Sequence, residues 1–114
     1  MTKICYLKLV TGEEIVSKIE MIENGERKLV RMIDPFVMHH HVDPDVGVRD
    51  YAIRYMPLTT KNSFILDADH VLTITDPSPM VINDYEIMLQ DEEANEEFDK
   101  EITNPKANNV VTLH

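Results

Sequence analysis

The chain has 114 residues and a formal net charge of −10, with 43% hydrophobic and 28% charged residues. That length fits one domain with a modest core, and the composition is that of an ordinary globular protein. Excess acid opposes long-range attraction to phosphate backbones. The excess is concentrated, however: residues 91–101 hold −6, leaving −4 for the rest. No run of 18 apolar residues is present, so no membrane partner is expected, and the N-terminus lacks the pattern of a secretion signal. The single cysteine, Cys5, cannot form an internal disulfide, which fits a reducing, cytoplasmic compartment.

In chain order, Lys3 to Val10 predicts a strand with Cys5, Leu7 and Leu9 on one face and Tyr6 and Lys8 on the other. On that pattern Cys5 is a buried, inert thiol. Gly12 supplies a turn. A second strand carries Ile15, Ser17, Ile19 and Met21 on one face, and Asn24-Gly25 is the two-residue signal for the next hairpin. Leu29 to Met38 reads as a long third strand in which Asp34-Pro35 requires a bend, a bulge or an edge. Residues 39–50, with Asp43-Pro44 and Gly47, read as a loop or wide hairpin turn.

Tyr51 to Met56 is a fourth strand, 57–62 a turn, Ser63 to Leu66 a short extended piece and 67–69 a tight turn. His70 to Thr75 is a fifth strand. Ser78 is a suitable helix N-cap and Pro79 a suitable first helical residue. Val81, Ile82, Tyr85, Met88 and Leu89 then form one apolar stripe, and the helix is expected to continue, acidic, towards Lys100. Residues 106–114 are expected to be mobile. The fold class is mainly β: a five-stranded, strongly bent sheet or small open barrel with a C-terminal α-helix. Residues 1–90 make the barrel and the start of the helix; 91–114 make its acidic extension and flexible tail. The edges of such a sheet need covering, and pairing with another subunit would do this.

Three groups of residues could carry chemistry. His39, His40 and His41 lie close to Asp43 and Asp45. Alternation on a strand would let only His39 and His41, with Asp43, share a metal ion, and no zinc-site spacing is present. The plainer reading is a polar loop, and no cofactor is expected. Asp67-Ala68-Asp69-His70 could suggest acid–base chemistry, but aspartates in one tight turn are explained by their own backbone hydrogen bonds. No enzyme activity is expected. The hairpin tip ENGERK offers Asn24, Arg27 and Lys28 as donors to phosphates or bases.

The segment LVTGEEIVSKIEMIENGERKLV, residues 9–30, resembles the first motif of the Sm-like proteins. Gly12 takes the place of the turn glycine, Ile15 and Ile19 of the apolar positions and Glu23 of the acid. Residues 66–74, LDADHVLTI, resemble the second motif, with Asp67-Ala68 where the family has Arg-Gly. The loop asparagine is replaced by Arg27 or Lys28, depending on how a one-residue insertion is placed. The chain is similar to the Sm-like proteins known from marine metagenomes and assigned to cyanophages, which share a proline in the fourth strand and an acidic C-terminal helix.

This resemblance implies a homo-oligomeric ring of five to seven subunits, the fourth strand of one pairing with the fifth of the next. It implies binding of RNA or single-stranded DNA in phage nucleic-acid processing, inside the host cell. Asn24, Arg27 and Lys28 would act from one loop and His70 as a stacking ring from the other, with Lys61 and Asn62 as further candidates. The alternative is an adaptor ring that binds a protein partner through its acidic helix and tail. A carboxylate at Asp67 in place of arginine, and the overall charge, favour that alternative.

Overall fold

In the computed structural model the described residues are 2–102 and 110–112, with side chains through residue 92. Strands β1 (Lys3–Leu9), β2 (Glu14–Asn24), β3 (Arg27–Asp43), β4 (Gly47–Arg54), β5 (Ser63–Asp67) and β6 (Val71–Thr75) are followed by helix α1 (Pro79–Ile102) and strand β7 (Val110–Thr112). The sheet order is β6-β1-β2-β3-β4-β7, with β5 also paired to β3, and all pairings are antiparallel. This is the expected class: a strongly bent, mainly β sheet with a helix after it.

The bend is built at Asp34-Pro35. Val16 pairs with Phe36 and Lys18 with Ile33, so Ser17 alone faces two residues of β3, a bulge. Proline brings no N–H to the ladder, and Asp34 takes the left-handed backbone conformation, φ 53°. Every backbone group released by the bulge finds a partner. The Asp34 N–H donates to the Asn62 carbonyl at 2.7 Å, and the Pro35 carbonyl accepts from Tyr55 N–H at 2.9 Å. The Ile33 carbonyl accepts from Ser17 Oγ at 2.9 Å, and the Asp34 carbonyl from the Tyr85 hydroxyl at 2.8 Å. Ser17, the only buried polar residue among the described residues, serves this carbonyl.

Because β3 bends, two strands share its outer edge. β5 pairs with Leu29–Ile33 and β4 with Phe36–Asp43. The two faces of the sheet each hold a core. On one, Cys5, Leu7, Leu9, Ile15, Ile19, Val30, Met32 and Val37 pack together, with Tyr55 edge-on to Phe64 beside them. On the other, Val16, Phe36 and Ala52 meet Tyr85 and Met88 of α1, and the Tyr85 ring stands edge-on to Phe36 at 5.9 Å. The predicted stripe thus faces the sheet. Ser78 caps α1 as expected, its Oγ accepting from Val81 N–H at 3.3 Å.

Several boundaries differ from the sequence reading. Residues 39–50 are not a loop: β3 runs to Asp43, β4 starts at Gly47, and only Pro44–Val46 turn. Cross-strand pairs, His39 with Tyr51 and Val42 with Val48, extend the hairpin. The β2–β3 turn is Gly25-Glu26, not Asn24-Gly25, because Asn24 pairs with Arg27 and Gly25 carries the positive φ of 64°. Among the described residues there are seven strands where five were expected, because Ser63–Asp67 pairs fully with β3 and Val110–Thr112 pairs with β4. The mobile stretch expected over 106–114 otherwise lies outside the described residues. Cys5 is buried, and burial pushes its thiol pKa up, as an inert thiol requires.

Tyr85 is fully buried, and its hydroxyl serves the bulge. Tyr85→Phe should therefore leave the Asp34 carbonyl unpaired and cost about 1–3 kcal/mol in urea unfolding at unchanged fold. A cost within error would show that the hydroxyl is not needed there.

Candidate nucleic-acid interface

Two loops converge at one end of the sheet. The β2–β3 hairpin presents Asn24, Arg27 and Lys28, all exposed. Beside it, Asp67 ends β5 opposite Leu29 and caps a single 3₁₀ turn, Ala68–His70, accepting from Asp69 N–H at 3.0 Å. The turn is thus held by aspartate's own backbone bond, as its sequence suggested. Arg27 reaches across to Asp67, Nη2 to Oδ2 3.6 Å. The Asp69 N–H, Arg27 and His70 together hold the Asp67 carboxyl below its ordinary pKa. His70 is exposed, and its carbonyl accepts from Val10 N–H at 2.9 Å, tying the turn to the end of β1.

Asn24, Arg27, Lys28 and His70 thus belong to one end of the molecule, around Asp67. Lys61 and Asn62 do not join them. They precede Ser63 at the other end of β5, where Ser63 pairs with Ile33. Asn62 serves the bulge: its carbonyl accepts from Asp34 N–H and its Nδ2 donates to Asp34 Oδ1 at 3.2 Å. A polar cavity of about 330 Å³ opens there between sheet and helix, lined by Lys18, Asp34, Arg54, Asn62 and Glu92 among others. Arg54 is committed within it to Glu92, with Asp34 at 3.9 Å.

The histidine run behaves as a strand. His39 and His41 follow Val37 on one face, and the His39 ring stacks on Tyr51, centroids 5.1 Å apart and 14° from parallel. Among the described residues no three His, Cys, Asp or Glu side chains gather as metal ligands, so His39, His41 and Asp43 are not brought together as a site. The residue sequence reasoning passed over is His40. It follows Met38 on the opposite face, where Nδ1 lies 2.6 Å from Asp50 Oδ1 and Nε2 2.8 Å from Glu14 Oε2. Tyr6 in turn donates to Glu14 Oε1. The registers of four strands together, with His40 opposite Asp50 and Glu14 opposite Met38, reveal this chain of contacts.

Both ring nitrogens of His40 face carboxylates, so the imidazolium form is favoured. Its pKa is raised, first by the hydrogen bond to Asp50 and then by that to Glu14. The Glu14 pKa is lowered, first by Tyr6 and then by His40. The Tyr6 hydroxyl is pushed up to about 12 by burial and by Glu14.

The residue pattern and the topology meet in one family. The model of the Sm_like domain matches residues 6–86, spanning β1 through the first turns of α1. The chain belongs to the Sm-like domain family. No curated protein matches the sequence. Among the described residues no helix is long and apolar enough to cross a membrane.

The His40 contacts predict a definite pH dependence. A raised folded pKa contributes stability that is complete below the unfolded value near 6.5 and is lost as pH rises through the folded value. Glu14, with a lowered pKa, contributes above the ordinary carboxylate range and loses its share as pH falls through it. His40→Gln should therefore destabilise most between these two windows, and the gap to the unsubstituted protein should close as pH rises past the His40 value. Urea unfolding of both proteins across a pH series reads this; a constant gap would contradict it.

Proposed function

We propose that this chain is a non-enzymatic Sm-like protein that assembles into a homo-oligomeric ring and binds single-stranded nucleic acid, RNA or DNA, in phage nucleic-acid processing. The observation that carries the reading is the convergence of the two motif loops: the hairpin with Asn24, Arg27 and Lys28 stands against the turn with His70, joined through Arg27 and Asp67. Family membership over residues 6–86 supports it, because Sm-like proteins generally form rings and associate with RNA through such loops.

The strand edges support the ring. β5 and β6 are five residues each, and each has only one strand partner among the described residues. They expose Ile65, Leu72 and Ile74, apolar side chains that a solitary subunit would leave in water. Antiparallel addition of the β6 edge of one subunit to the β5 edge of the next would cover all three. In this proposal β5 takes the part that the sequence reading gave to the fourth strand, because β7 lies along Tyr51–Ile53 of β4.

Chemically, Arg27 and Lys28 would neutralise phosphates and His70 would stack on a base, while Asp67 tempers the site by holding Arg27 and adding repulsion. A second reading, an adaptor ring that recruits a basic protein through α1 and the tail, is favoured by the −6 carried by residues 91–101.

Fluorescence anisotropy with U-rich and A-rich RNA and matching DNA, across a salt series, tests the first reading. Saturable, salt-sensitive binding is expected. Arg27→Ala with Lys28→Ala should weaken it and reduce the salt slope by about 1.4. Asp67→Asn, which keeps the turn cap and releases Arg27, should tighten it. Equal binding by all three proteins would overturn the site assignment, and no binding at low salt would overturn the function in favour of the adaptor.

A further inference from the structure

Strand β7 is short, but it occupies a particular place. Val110–Thr112 pairs antiparallel with Tyr51–Ile53, Thr112 opposite Tyr51 and Val110 opposite Ile53, on the edge of β4 away from β3. β4 itself is eight residues long and is the second arm of a hairpin that leaves Val42, Val46 and Val48 exposed. Without β7, the edge of a strand of this kind, next to exposed valines, would be a template on which another chain can add a strand. Addition needs mainly backbone hydrogen bonds, so it selects for an extended apolar segment and little else. The sequence Val-Val-Thr is such a segment, rich in residues that favour strands.

From this we propose that the outer edge of β4 is a strand-docking site whose occupant is the chain's own Val110–Thr112, and that its occupation keeps a second copy from adding a strand there. The docked segment follows α1 in the same chain, eight positions after Ile102, so it competes as part of the same molecule. Tethering of this kind acts as a high local concentration and excludes free strands without a tight contact. The three-residue ladder can then be short and still effective. The site is separate from the loops at Arg27 and His70, and it stands whether or not those loops bind nucleic acid.

The test uses the full-length chain and Val111→Pro, which removes a backbone donor from β7 and disfavours the ladder. The probe is a fluorescent peptide of residues 108–114, NNVVTLH. Hydrogen exchange over residues 49–54 should be faster in Val111→Pro than in the unsubstituted chain, with exchange over residues 28–33 unchanged as the check on folding. The peptide should bind Val111→Pro at least about tenfold more tightly than the unsubstituted chain, whose own strand competes. Light scattering should show heavier species for the variant as concentration rises, and excess peptide should reverse this. Equal exchange over 49–54 in the two proteins, or a peptide that binds neither, overturns the proposal. Oligonucleotide binding measured alongside keeps the two questions apart, because failure there leaves these readouts untouched.

Discussion

The structure depends on a bulge that is fully hydrogen-bonded. Asp34-Pro35 breaks the β2–β3 ladder, and a break in a buried sheet is tolerable only if the released groups find partners. Ser17 supplies one from β2, Tyr85 one from the helix, and Asn62 and Tyr55 supply the backbone partners. From this local accounting the architecture follows. β3 bends, its two halves receive different neighbours, and α1 is fixed across the sheet by a buried hydroxyl with apolar rings around it. The helix therefore closes one core and also satisfies the polar groups that give the sheet its curvature.

Curvature in turn positions the candidate interface. β5 can run beside the first half of β3 only because β4 has left with the second half, and β5 delivers Asp67 and the 3₁₀ turn to the side of the β2–β3 hairpin. Two loops more than thirty residues apart in sequence meet through Arg27 and Asp67. The pair is solvent-exposed enough that it contributes little to stability. Its significance is electrostatic: Arg27 is partly neutralised by the Asp67 carboxylate beside it. An interface built this way would bind phosphate less strongly than one with two free cations.

Much of this was legible in the chain. The alternation of Cys5, Leu7 and Leu9 predicted the inner face of β1, Ser78-Pro79 and the stripe to Leu89 predicted α1, and Asp34-Pro35 required a bend, a bulge or an edge, of which the structure has the bulge. These are local signals, set by side-chain period and by what proline can do. The β3–β4 arm was missed for the converse reason. It projects away from both cores, so most of its side chains are exposed whatever their chemistry, Val42 and Val48 among His, Asp and Arg, and they carry no regular alternation to read. The Tyr6, Glu14, His40 and Asp50 contacts unite four strands, and no local pattern specifies that register. Asn62 lies apart from Arg27 because the residues that flank one short strand sit at its opposite ends. Strand β7 was invisible because three residues after an acidic helix give no period at all.

The most direct test of the central claim, a bent Sm-like subunit that closes into a ring around nucleic-acid-binding loops, is native mass spectrometry of the full-length protein with and without a short U-rich oligonucleotide. The account predicts one closed oligomer of five to seven subunits that gains the mass of an oligonucleotide. A monomer at all concentrations, or a ring that never takes up the oligonucleotide at low ionic strength, would contradict it.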